Sequence, residues 1–156
     1  VAPDEIGMDR GWKVPLEGAV LHALRNSLDH GGAGSGRELR IELRASQVDG
    51  KVTLVCEDDG AGIDVARVRE TARQTKTLAA HAEGMDDEQV LQLLFMPAFT
   101  LGRGRTPLSG RGYGLDIVRD AVEKRLGGRA RIESRPSGGT RLVIEFPQGL
   151  EKVTRS

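Results

Sequence analysis

Two alternating runs joined by Asp49-Gly50 constrain this chain more than any other stretch. Between Arg37 and Val48, Leu39, Ile41 and Leu43 alternate with Arg40, Glu42 and Arg44, the pattern of a half-buried strand. Asp-Gly is a strong signal for a two-residue hairpin. The return run from Lys51 to Glu57 sets Val52, Leu54 and Cys56 on one side, with Thr53 and Val55 on the other. Continued by one residue, the alternation puts Asp58 on the Cys56 side, a carboxylate at the end of an apolar strand face. A buried carboxylate needs a hydrogen-bonding partner. Asp58-Asp-Gly-Ala-Gly62 therefore has two readings. It is a strand-to-helix turn with Asp64 capping the next helix, or Gly60 and Gly62 open the backbone to a flat ligand whose amino group donates to Asp58.

Upstream, residues 16–30 have the spacing of an amphipathic helix that stops at Gly31-Gly32. At ~100° per residue, His22, Asn26, Asp29 and His30 share one stripe. Leu16, Val20, Leu24 and Leu28 share the opposite one, with Leu21 beside them. The polar stripe is either a solvated face or a set of short, directional groups able to ligate a hard cation or hold a phosphate. Downstream, helices are expected from Asp64 to Thr75 and from Asp86 to Phe95, the latter with Asp86, Asp87 and Glu88 suited to its dipole. His81 lies in a polar stretch between them and reads as surface. Residues 97–112 are rich in Gly, Pro and Arg and read as a lid. Gly110-Arg-Gly-Tyr-Gly114 then opens a helix running to Leu126, with Leu115, Val118, Val122 and Leu126 toward the core. Free N–H groups at such a helix start suit an anion. A dinucleotide fingerprint is not met, because position 115 is Leu, and no Walker-type phosphate loop is present. Arg129 to Arg135 and Thr140 to Phe146 form a second hairpin around Pro136-Ser-Gly-Gly139.

At 156 residues the chain reads as one domain. Residues 1–14 read as a lead-in, trimmed from a longer protein, and 148–156 as a tail. Lys plus Arg and Asp plus Glu each number 23, so charge gives no case for nucleic acid or an anionic membrane as the main partner. Cys56 is the lone cysteine, which argues against a disulfide framework or zinc set and fits a reducing compartment. With no run of ~20 apolar residues and no signal-peptide pattern, a cytoplasmic domain without membrane insertion is expected.

Four elements stand in order: H-x-x-x-N-x-x-D-H from His22, D-D-G-x-G from Asp58, F-x-P-x-F from Phe95, and G-R-G-x-G-x-D from Gly110, followed by Gly138-Gly139-Thr140. Together they resemble the ATP-binding domain of histidine kinases, in the superfamily that includes DNA gyrase B, MutL and the large heat-shock chaperone. His22-Ala-Leu-Arg-Asn-Ser-Leu-Asp-His-Gly31 and Ser109-Gly-Arg-Gly-Tyr-Gly-Leu-Asp-Ile-Val118 narrow the resemblance to chemotaxis-type, CheA-like kinases. It covers Met8 to Pro147.

The resemblance implies an α/β (α+β) two-layer sandwich, the Bergerat ATP-binding fold. Its sheet is mixed, mainly antiparallel, and backed by three helices with an ATP lid. It implies ATP and Mg²⁺ as cofactors, with Asn26 holding the ion. Asp58 would accept from the adenine amino group, Gly60 and Gly62 would admit the ring, and Thr140 would support Asp58 or a bridging water. Gly110, Gly112 and Gly114 would line the triphosphate with Arg111, and His22, Asp29 and His30 would lie near Mg²⁺ and the phosphates. Hydrolysing relatives carry Glu where His22 stands, so the resemblance favours γ-phosphoryl transfer to a histidine on a separate phosphotransfer domain. A response regulator would follow downstream, and the isolated domain would be a monomer. The alternatives are an ATP hydrolase of the same fold or a non-catalytic nucleotide-binding module. Met96, Ala98 and Tyr113 depart from the family pattern around the lid and phosphate loop.

Overall fold

The computed structural model describes residues 10–28, 36, 38–75, 78–96 and 115–148. In chain order these form α1 (Arg10–Asn26), β1 (Ile41–Val48), β2 (Lys51–Asp58), α2 (Val65–Gln74), α3 (Ala79–Ala82), α4 (Asp87–Gln92), α5 (Leu115–Asp120), β3 (Arg129–Ser134) and β4 (Thr140–Pro147). A 3-10 turn, Leu93–Phe95, continues α4, and a π turn, Ala121–Arg125, continues α5. The expected lid at 97–112 and the chain up to residue 9 and beyond residue 148 lie outside the described residues.

Both expected hairpins form. Asp49 and Gly50 take φ of 50° and 72°, the left-handed pair that a tight antiparallel turn requires. The sheet has the order β1-β2-β4-β3, and every described pairing is antiparallel. Residues paired in register share a face. Ile41, Leu43 and Ala45 therefore join Asp58, Cys56 and Leu54 on one side, continued by Leu142, Ile144 and Phe146 of β4 and by Ala130 and Ile132 of β3. Helices cover that side. Val68 and Ala72 of α2, Val90 and Leu91 of α4, and Leu115, Val118, Val122 and Leu126 pack with it into one core. Glu42, Arg44, Glu57, Arg131, Glu133, Arg141 and Glu145 lie on the other face, where ion pairs link neighbouring strands.

The free edge of β3 is occupied by a side chain. Gln92 donates from Nε2 to the Ile132 carbonyl at 2.8 Å and accepts from the Ile132 N–H at 3.2 Å. Its amide pairs with the strand as another strand would, and so blunts the edge. Helix starts follow the sequence signals. Asp64 caps α2 by accepting from the Arg67 N–H, and Asp86 and Gln89 form a capping box on α4. Arg69 ties α2 to the next turn, donating to the carbonyls of Ala82 and Met85 and to the Asp87 carboxylate. No described helix is long and apolar enough to cross a membrane.

Helix α1 differs from expectation at both ends. It starts at Arg10 rather than Leu16, with Pro15 inside it. At the other end a π turn takes over at Ser27 and Leu28. Its buried residues are Ala19 and Ala23, flanked by the partly buried Leu16, Val20 and Leu24. Leu21 and Leu28, expected with the apolar stripe, are each 64% exposed. Two alanines let the helix backbone approach its neighbours closely, and that contact rotates the apolar stripe toward residues 19 and 23. The π turn then carries Leu28 outward.

Candidate functional site

Asp58 is the last residue of β2 and is 4% exposed, on the helix-covered face as the alternation required. Three separate segments donate to its carboxylate. The Gly60 N–H reaches Oδ1 at 3.0 Å and the Thr140 N–H reaches the same oxygen at 3.3 Å. The Ser27 hydroxyl donates to Oδ2 at 2.9 Å. Each carboxylate oxygen can accept twice, so Oδ2 keeps a lone pair for one more donor. The site is thus a fixed acceptor in a shielded place, ready for an N–H or O–H group.

Glycines bring the walls together. Gly139 has φ 90°, and a Cβ there would lie 1.9 Å from the Asp58 carbonyl oxygen. Gly62 has φ 75°, and a Cβ there would lie 3.3 Å from the Gly139 carbonyl oxygen. The turn after β2 and the hairpin loop between β3 and β4 therefore touch backbone to backbone, which only glycine permits. Asp59 fixes the other side of the turn. Its carboxylate accepts from the Arg40 N–H at 2.8 Å, and its own N–H donates to the Arg40 carbonyl.

Charge surrounds Asp58 unevenly. Glu57, its neighbour, faces the other side of the sheet and is 6% exposed. It binds Arg141 Nε at 2.8 Å and also Arg44. The hydrogen bond from Arg141 holds the Glu57 carboxyl below the usual carboxylate range, helped by the charges of Arg44, Arg141 and Arg135. Cys56 is pushed up from 9.0 to about 11, first by burial and then by the charges of Asp58 and Glu57. A thiol so placed is neutral and unreactive at neutral pH.

Among the expected site residues, the structure brings Asp58, Gly60, Gly62 and Thr140 together. Thr140 supports Asp58 through its backbone N–H. His22 is half-buried on α1, and Asn26 is the last residue of that helix. Asp29, His30, Gly110, Arg111, Gly112, Gly114 and the Asn26 side chain lie outside what the structure describes. Ser27 was missed by the sequence reading. Its signal was its place four residues beyond Ala23, on the buried row that starts at Ala19. Among the described residues no cluster of three or more His, Cys, Asp or Glu could hold a metal.

Against this geometry the similarities to known proteins are specific. Residues 13–150 match the family model "Histidine kinase-, DNA gyrase B-, and HSP90-like ATPase". A chemotaxis protein CheA from Cereibacter sphaeroides is 40% identical over 143 residues, 86% of this chain and 21% of that protein. A gliding motility regulatory protein from Myxococcus xanthus is 35% identical over 158 residues, 94% of this chain and 20% of that protein. The chain thus spans about a fifth of the length of these curated relatives. Among solved structures, the catalytic domain of histidine kinase ThkA superposes with a TM-score of 0.59 at 20% identity, covering 90% of this chain and 70% of that one. That likeness establishes a shared fold.

Proposed function

This chain belongs to the histidine kinase-, DNA gyrase B-, and HSP90-like ATPase family, and from that premise we propose that it is the ATP-binding, phosphoryl-donating domain of a chemotaxis-type histidine kinase. Asp58 carries the reading. It is a buried carboxylate with three fixed donors and one acceptor position to spare. The exocyclic amino group of adenine supplies the missing donor, whereas a 6-oxo purine would set acceptor against acceptor. Gly60 and Gly62 leave the turn without side chains where a flat ring must approach.

The bond between Ser27 and Asp58 also holds the end of α1, and residue 26 with it, beside the base site. An Asn amide oxygen together with phosphate oxygens makes the hard-oxygen set that Mg²⁺ takes, so Asn26 is assigned to the ion. Mg²⁺ held there would supply positive charge to offset that of the phosphates in phosphoryl transfer. Asp29, His30, Gly110, Arg111, Gly112 and Gly114 are assigned to the phosphate end. His22 stands where a Glu would activate water, which supports transfer of the γ-phosphoryl group to a histidine on a separate phosphotransfer domain. A response regulator is then the downstream acceptor, and the setting is cytoplasmic.

Calorimetry with a non-hydrolysable ATP analogue, with and without Mg²⁺, tests the site. The intact chain should bind, Asp58→Ala should abolish binding, and Asn26→Ala should remove the Mg²⁺ dependence. Labelled ATP with an added phosphotransfer domain tests the reaction. Unaltered binding by Asp58→Ala would sink the assignment of the base site. Binding without transfer to any added domain would reduce the protein to a nucleotide-binding module.

A further inference from the structure

Asp58 sits where the sheet runs out. Its pairing with β1 continues to Ile41, but the pairing of β2 with β4 ends one residue earlier, at Glu57 with Arg141. The Asp58 carbonyl therefore lacks a ladder partner from β4. Arg135, the residue after β3, supplies one. Its Nη1 donates to the Asp58 carbonyl oxygen at 2.7 Å. Its Nε lies 3.9 Å from Glu57 Oε2 on the outer face. Its main chain closes the hairpin loop, with its N–H donating to the Gly139 carbonyl and its carbonyl accepting from the Gly138 N–H. One residue thus grips the Asp58 peptide, faces the buried Glu57, and shapes the loop that delivers Gly139 and Thr140.

We propose that Arg135 is a positioning residue for base recognition. It fixes the peptide that carries Asp58, and through it the carboxylate, from the opposite face of the sheet. Glu57 is its anchor, held in turn by Arg141 and Arg44. A planar guanidinium suits the task, since its fork reaches a carbonyl and a carboxylate from one rigid group. Neither Asp58-Asp-Gly-Ala-Gly62 nor Gly110-Arg-Gly-Tyr-Gly114 contains this residue. This inference rests on the reading of Asp58 as the acceptor for the amino group of the base.

The test compares binding of ATP with binding of inosine triphosphate, which carries an oxo group in place of the amino group. Arg135→Met should lower the ATP preference about tenfold while changing inosine triphosphate affinity less than about twofold, because a loosened Asp58 penalises only the nucleotide that uses it. Arg135→Lys retains one donor and should restore most of the preference. Equal weakening of both nucleotides in Arg135→Met and Arg135→Lys would overturn the proposal, since that is what a general structural role predicts. An unchanged ratio in both would overturn it as well. If Asp58→Ala alone left the preference intact, the base assignment would fall first, and that result is visible with Arg135 in place.

Discussion

Replacing Gly139 by alanine isolates the close approach on which the site depends. Gly138 and Gly139 have nearly the same φ, 91° and 90°, so an alanine at either bears a similar backbone penalty of about 1–2 kcal/mol. Their surroundings differ. Among the described residues, a Cβ on Gly138 meets only the Gly60 carbonyl oxygen at 3.8 Å, an ordinary contact. A Cβ on Gly139 would lie 1.9 Å from the Asp58 carbonyl oxygen, 2.7 Å from its carbon and 2.9 Å from the Asp59 Cα. All three are backbone atoms, so no side chain can swing aside, and the loop must retreat by about 1.5 Å to reach the 3.4 Å of normal contact. That retreat breaks the 3.3 Å bond from Thr140 to Asp58 and stretches the 2.7 Å bond from Arg135. At about 1 kcal/mol for each hydrogen bond lost, Gly139→Ala should cost about 3–4 kcal/mol in all, and Gly138→Ala about 1–2. Urea unfolding of the two variants measures the difference, and calorimetry with an ATP analogue should find nucleotide affinity reduced at least about tenfold in Gly139→Ala alone. Equal stability and equal affinity in the two variants would refute the reasoning, because only φ would then matter.

Two further outcomes follow from the same geometry. Ser27→Ala removes the donor to Asp58 Oδ2 and should cost about 1–2 kcal/mol of stability, together with a severalfold loss of nucleotide affinity. Thermal unfolding and calorimetry read both, and an unaffected affinity would mean that Asp58 is held without it. The pH dependence of stability should have two limbs. Glu57 titrates below its ordinary value when folded, so its contribution is present above the ordinary carboxylate range and lost as the pH falls through the depressed folded value. Cys56 is raised from 9.0 to about 11, so the contribution of its neutral form is complete below 9.0 and lost as the pH rises toward 11. Urea midpoints across pH should show the acid limb flattened in Glu57→Gln and the alkaline limb flattened in Cys56→Ala.

What the sequence disclosed was local. Alternation around Asp49-Gly50 placed the first hairpin and put Asp58 on the covered face, because a strand repeats every two residues and admits no other assignment. The spacing of Leu115, Val118, Val122 and Leu126 likewise gave the buried side of α5 and its extension. The misjudged elements depend on partners far along the chain. Leu21 and Leu28 are larger and more apolar than Ala19 and Ala23, so periodicity favours them for the core. The alanines win because they let the helix approach its neighbours. The expected lead-in is helical from Arg10, and α1 runs through Pro15. Ser27, Gln92 and Arg135 are ordinary polar residues in the sequence. The roles of Gln92 and Arg135 exist only once Ile132 and Asp58 have been brought to them, and that of Ser27 shows locally only as its place on the row of Ala19 and Ala23.

The order of strands also has a consequence for how the protein comes into being. β2 receives β1 across a two-residue turn, but its other neighbour is β4, and Thr140 reaches Asp58 across 82 residues of chain. Synthesis runs from the N-terminus, so a nascent chain carries Asp58, Gly60 and Gly62 long before the loop that completes their surroundings has been made. Until then the inner edge of β2 is open and its apolar face has no full cover. A fragment ending before residue 139 would retain the most legible motif of the sequence and yet lack the pocket. On the proposed reading of Asp58, nucleotide binding would first appear during translation only after β4 has been made.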